Sequence, residues 1–101
     1  MRILFFSIIF LFSTNLVFAN EPKSMAQKNG CFACHSVKVK VLGPSFVEIA
    51  KKYESQSEAR QFLIEKVKKG GSGNWGNVPM IAHPKISDQE IGVIIDWILK
   101  L

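Results

Sequence analysis

Cys31-Phe32-Ala33-Cys34-His35 is the stretch on which the fold of this chain turns. It is the C-x-x-C-H pattern of covalent c-type haem attachment. Its two cysteines are the only two in the chain. Thiols three residues apart on a helical turn project from one face, about one turn apart. Each can add to one vinyl group on the same edge of a porphyrin and form a thioether. His35 lies four residues after Cys31 and shares that face, so its ring can reach under the macrocycle and ligate the iron. Other uses of these residues fit less well. A thioredoxin-type Cys-x-x-Cys belongs beside a βαβ pattern, and none is visible. A disulfide across so short a loop gains little entropy and leaves His35 unexplained. A tetrahedral zinc site needs more ligands than this cluster and His83 supply.

The N-terminus reads as a secretory signal peptide. Arg2 forms a short basic region, Ile3 to Phe12 is almost unbroken apolar sequence, and Val17-Phe18-Ala19 offers a small residue before polar Asn20-Glu21-Pro22. The expected cut is after Ala19, leaving residues 20–101 as one domain. A retained anchor is the alternative, but Ser13, Thr14 and Asn15 make the run short for a span. Bacterial c-type attachment takes place beyond the inner membrane, so export to the periplasm agrees with the motif. The remaining 82 residues bury a limited core, and a covalent haem would serve as a staple. The whole chain carries a net charge of +5, and loss of Arg2 leaves +4. That excess suits steering toward an acidic redox partner, and Lys23, Lys28, Lys38 and Lys40 flank the motif. No basic stripe interleaved with aromatics points to nucleic acid.

Residues 20–101 read as four helices joined by loops, an all-α fold. The first is expected from about Pro22 to Asn29, with Gly30 letting the backbone approach the haem. Ser45-x-x-Glu48 is a capping box, followed by Phe46, Ile49, Ala50 and Tyr53 at helical spacing. Ser55-x-x-Glu58 is expected to open a third helix with Ala59, Phe62, Leu63 and Val67 inward, stopped by Gly70 and Gly71. Ser87-x-x-Glu90 opens the last, with Ile91, Ile94, Ile95 and Ile98 on one face. Between them, Gly70 to Lys85 is so rich in glycine and proline that no regular element is expected, and no strand is evident.

A loop this long in a small domain usually has a function. Its candidate is Met80, in Asn77-Val78-Pro79-Met80. A thioether sulfur is soft and neutral, favours ferrous iron, and raises the reduction potential. Axial ligand choice moves haem potentials over about 0.8 V across proteins. The alternative for Met80 is core packing. Met25 lies too near the haem motif to reach the opposite face easily. His83 is the rival, since imidazole also binds haem iron and bis-histidine ligation lowers the potential.

Taken together, the chain resembles the small bacterial monohaem class I cytochromes c, close to the cytochrome c-551/c-552 group. The resemblance covers essentially all of residues 20–101. It rests on the pentapeptide, on Val41-Leu42-Gly43-Pro44-Ser45-Phe46, on Gly70-Gly71-Ser72-Gly73-Asn74-Trp75-Gly76-Asn77-Val78-Pro79-Met80, and on a final amphipathic helix with Trp97. It implies about four helices around one covalent haem c, with iron held by His35 and Met80. It implies that the Pro44 carbonyl accepts a hydrogen bond from the outer nitrogen of His35, which fixes the ligand's tautomer. It implies that the Trp75 indole reaches a haem propionate, with Lys66 where relatives carry an arginine toward one. The chain departs from the pattern after Met80, where Ile81-Ala82 replaces a common Pro-Pro and His83 replaces an amide. The loop should be looser for it, and His83 should either donate to the Met80 sulfur or face solvent. The implied function is one-electron transfer by a monomeric, non-enzymatic carrier. Its partners would be a quinol-oxidising complex upstream and a terminal oxidase or periplasmic reductase downstream. The electron would cross at the thioether edge near Cys31 and Cys34. A haem peroxidase or a diatomic-gas sensor, each needing a labile sixth ligand, is the other class.

Overall fold

A computed structural model describes residues 8–11, 13 and 21–101. Arg2, much of the apolar run and the expected cut after Ala19 lie outside the described residues. Of that run, Ile8, Ile9, Phe10 and Leu11 are each at least 80% exposed and take no part in the core. No helix among the described residues is long and apolar enough to cross a membrane.

Among the described residues four α-helices form, as their apolar spacing requires: α1 (Glu21–Lys28), α2 (Phe46–Tyr53), α3 (Ala59–Lys69) and α4 (Asp88–Leu99). The last helix touches each of the other three. Ile91, Ile94, Ile95 and Ile98 recur at helical spacing, so one stripe of α4 is buried along its length. Ala26 of α1, Phe46 and Tyr53 of α2, and Ala59, Leu63 and Ile64 of α3 close the core against that stripe. Gly92 lies on the buried side, and a side-chain carbon there would fall 2.6 Å from Arg60 Nη2. Its absence lets Arg60 pass over α4 and pair with Asp96, Nε to Oδ1 at 2.8 Å.

The three proposed capping boxes have three outcomes. At α2 the box is complete: Ser45 Oγ accepts from Glu48 N–H and Glu48 Oε2 accepts from Ser45 N–H. At α4 half of it forms, with Glu90 N–H donating to Ser87 Oγ. Glu90 Oε1 instead accepts from Asn29 Nδ2 at 3.2 Å, tying the end of α1 to α4. The box expected at Ser55 is absent. Helix α3 begins at Ala59, its N-cap is Glu58, and no side chain caps it. Glu58 has helical backbone angles (φ −88°, ψ −2°), whereas side-chain capping needs an extended residue. The Gln56 carbonyl takes the Ala59 N–H instead, at 3.1 Å. Phe62 is a second correction: it is 42% exposed, its ring tilted against Tyr53, while Ile64 takes the buried place.

The stretch after α3 is also more regular than its composition suggests. Gly71–Gly73 (β1) and Gly76–Met80 (β2) pair antiparallel, Gly71 opposite Met80 and Gly73 opposite Gly76, with an irregularity between. Gly73 and Gly76 have φ of 110° and 104°. Such residues break a strand interior, but they also close a tight, bulged hairpin. The hairpin is small, and the fold remains all-α.

Candidate functional site

The pentapeptide sits on one tight helical turn. Cys31–Ala33 is a 3₁₀ turn, entered from α1 through Gly30 at φ 81°. A side chain at Gly30 would meet nothing in the chain within 4 Å, so glycine serves the backbone angle there. The Cys34 and His35 N–H groups both donate to the Cys31 carbonyl, at 3.3 and 3.0 Å. That wraps Cys31, Cys34 and His35 around one turn. Both cysteines are free and half-buried. Burial pushes the Cys31 thiol up, only partly offset by its backbone hydrogen bond.

The loop after His35 folds back onto it. Gly43 N–H donates to the Cys34 carbonyl at 2.8 Å, and Phe46 N–H donates to the Ser36 carbonyl at 2.9 Å. These bonds bring Gly43 and Pro44 against the histidine. His35 Nδ1 lies 2.7 Å from the Pro44 oxygen. A carbonyl can only accept, so Nδ1 carries the proton and Nε2 carries the free lone pair. A side-chain carbon at Gly43 would lie 2.6 Å from His35 Cε1 and 2.9 Å from Nδ1. The ring therefore occupies the space that any larger residue would need. Phe46 stacks on His35 (centroids 5.3 Å apart, 23° between planes) and meets Phe32 and Trp97 edge-on. Two free thiols on one turn, beside an imidazole whose metal-binding nitrogen is left open, fit the demands of a covalently attached haem.

Met80 ends β2 and is half-buried, whereas residues 71–79 are all exposed. Helix α3 runs close behind it. A side-chain carbon at Gly70 would fall 2.5 Å from the Met80 carbonyl and 2.7 Å from the Ala82 nitrogen. His83 N–H donates to the Val67 carbonyl at 3.0 Å, which ties the chain beyond Met80 to α3. The His83 ring makes no hydrogen bond among the described residues, so a donor to the Met80 sulfur is not formed. Met25, the other methionine of this region, packs against the hydrophobic core. Trp75, at the hairpin turn, is 41% exposed and lies under Lys52 Nζ, 4.3 Å from its ring centroid. The Lys66 ammonium would lie 3.3 Å from a side-chain carbon at Gly71, which places it at the base of the hairpin.

Sequence reasoning missed two partners of this site. Phe46 was expected as core, and its helical spacing gave no sign that it stacks on His35. Lys52 had no motif at all; only the fold brings it to Asn74 and Trp75.

Comparison with known proteins agrees with this fold. The family model for Cytochrome c matches residues 20–101. The chain is 43% identical over 86 residues to cytochrome c-552 of Hydrogenobacter thermophilus, covering 85% of each chain. It is 47% identical over 81 residues to cytochrome c2 of Rubrivivax gelatinosus, covering 78% of this chain and 95% of that one. The crystal structure of wild-type Nitrosomonas europaea cytochrome c552 superposes with a TM-score of 0.74 at 42% identity, covering 77% of this chain and 96% of that one.

Proposed function

Because this chain belongs to the cytochrome c family and its cofactor is a single covalent c-type haem, we propose that it is a periplasmic one-electron carrier whose iron is held by His35 on one face and Met80 on the other. The observation that carries this is the 2.7 Å contact of His35 Nδ1 with the Pro44 carbonyl. It sets the tautomer of the imidazole and leaves Nε2 as the nitrogen able to bind a metal, on the turn that also carries the free thiols of Cys31 and Cys34.

When bound, the haem supplies an iron that cycles between ferric and ferrous states and so takes up and gives out single electrons. The chain's own residues do the rest. Cys31 and Cys34 fix the edge of the macrocycle. Pro44, Gly43 and Phe46 hold the His35 ring in one orientation, so little rearranges when the charge on the metal changes. Met80 would supply the second donor to the iron, a neutral, soft sulfur that would favour the reduced state. Phe32, Phe46 and Trp97 keep water from the histidine side, and a water-poor surround disfavours added positive charge. Trp75 is the group assigned to a propionate.

The exposed apolar side chains Val39, Val41 and Leu42, with Lys38 and Lys40 among them, follow the motif directly. They suit brief docking with an acidic partner near the thioether edge. The partners we propose are a quinol-oxidising membrane complex and a terminal oxidase or periplasmic reductase, met by a monomer. Residues 1–19 are the export signal, cut after Ala19, and residues 20–101 are the working domain.

The test is spectroscopic. The ferric holoprotein should show the weak far-red band of methionine-ligated haem, and Met80→Ala should abolish it. The ferrous protein should resist carbon monoxide at neutral pH until Met80 is removed. Absence of the band in the native protein would remove Met80 as ligand. Fast, tight carbon monoxide binding would favour a gas sensor or a peroxidase.

A further inference from the structure

Helix α2 touches both halves of the site. Its N-terminal end belongs to His35: the Pro44 carbonyl precedes it, Ser45 caps it, and Phe46 stacks on the imidazole. Its C-terminal end belongs to the hairpin. Lys52 Nζ donates to the Asn74 carbonyl at 2.8 Å and sits over the Trp75 ring at 4.3 Å. The hairpin is otherwise held at its base, where Gly70 N–H donates to the Lys66 carbonyl at 2.8 Å and His83 N–H to the Val67 carbonyl at 3.0 Å. Among the described residues, the Lys52–Asn74 bond is the one hydrogen bond that joins residues 71–80 to the helices. Without it the hairpin would be held only at its base, where Met80 pairs with Gly71, and a swing of the free tip would turn the strand that carries Met80.

We propose that Lys52 is a positioning residue for the second axial ligand. It clamps the hairpin tip onto α2, which makes that helix a strut between the His35 side and the Met80 side. The assignment rests on Met80 being the second ligand. Lys52 touches neither the iron nor the sulfur; it lowers the fraction of molecules in which the hairpin has swung away and the sixth position is open. A small ligand that binds only the open form has an apparent affinity proportional to that fraction.

Imidazole binding to the ferric holoprotein at neutral pH reads this directly. The variants are Lys52→Met, Lys52→Arg and Lys51→Met, the last removing the same charge from the neighbouring exposed position of α2. Lys52→Met should bind imidazole about three- to tenfold more tightly, the range open to an exposed cation–π contact with a charge-assisted hydrogen bond. Lys52→Arg keeps a donor and a cation over the ring, so it should stay near the native value, as should Lys51→Met. Hydrogen exchange of backbone amides in residues 74–80 should quicken in Lys52→Met while that of α4 does not change. Native-like imidazole affinity in Lys52→Met overturns the proposal even if its thermal stability falls. An equal gain in Lys51→Met overturns it in favour of a charge effect. A native ferric protein without the far-red band overturns the Met80 assignment and this inference with it, an outcome separate from the other two.

Discussion

His35 meets three neighbours that a twelve-residue window of sequence, 35–46, contains in full: Gly43, Pro44 and Phe46. Each does a different thing. Pro44 selects the tautomer, Phe46 covers a ring face, and Gly43 leaves room. Gly43 has no positive φ, so its requirement is space, not backbone strain. Gly43→Ala should push the imidazole off its seat and lengthen the bond to Pro44. Overpacking of this kind costs about 1–3 kcal/mol, and denaturant unfolding of the holoprotein should show a loss of that size together with a shifted reduction potential. A variant with native stability and potential would mean that the ring has slack. Of these neighbours, Pro44 was legible through family resemblance and Gly43 only as part of a turn. A contact across eight residues of loop depends on the path the loop takes, and the bonds to Cys34 and Ser36 that set this path have no signature in side-chain pattern.

At the scale of elements, identical-looking signals part company. Ser45, Ser55 and Ser87 all stand three residues before a glutamate. Ser45 is buried, extended and doubly bonded; Ser55 lies in the turn after α2 and caps nothing. Ser45→Ala should therefore cost about 1 kcal/mol, with more for its burial. Ser55→Ala should stay within about 0.5 kcal/mol of native, as for an ordinary surface position. Chemical denaturation of the two variants decides, and equal losses would contradict the observed start of α3 at Ala59. The pattern was right about the existence of all four helices, because burial at helical spacing is a summed signal. It failed at the α3 start, where Gln56 offers a backbone carbonyl in place of a side chain. It failed again at residues 71–80, because glycine weakens a strand in general yet permits the backbone angles of this hairpin.

For the molecule as a whole, stability and docking are separate concerns. Stability lies in the α4 stripe and its three partners, with ion pairs as minor additions: Arg60–Asp96 has both side chains about half exposed, 52% and 46%, and such pairs contribute little. Charge matters instead for encounter. With a surplus of lysines and half-exposed apolar groups near the motif, electron exchange with an acidic redox protein should slow as salt rises from about 0.01 to about 0.15 M, where the screening length falls from about 30 to about 8 Å. Stopped-flow mixing measures this, and rates that hold steady or rise with salt would remove steering toward an acidic surface.

By itself the sequence determined the chemistry and the helices. Cys31, Cys34 and His35 lie within a single turn, so local geometry alone presents two thiols and an imidazole together, and helix faces follow from periodicity in a short window. Tertiary structure decided how the two sides of the site are held. The seat of His35 on Gly43 depends on the path of the loop between them, the packing of Gly70 against the Met80 carbonyl on the closing of the hairpin, and the reach of Lys52 to Asn74 on the packing of α2 against that hairpin. Local residue pattern carries what one turn of backbone can enforce; distances between turns are set by packing, and no single stretch of this chain records them.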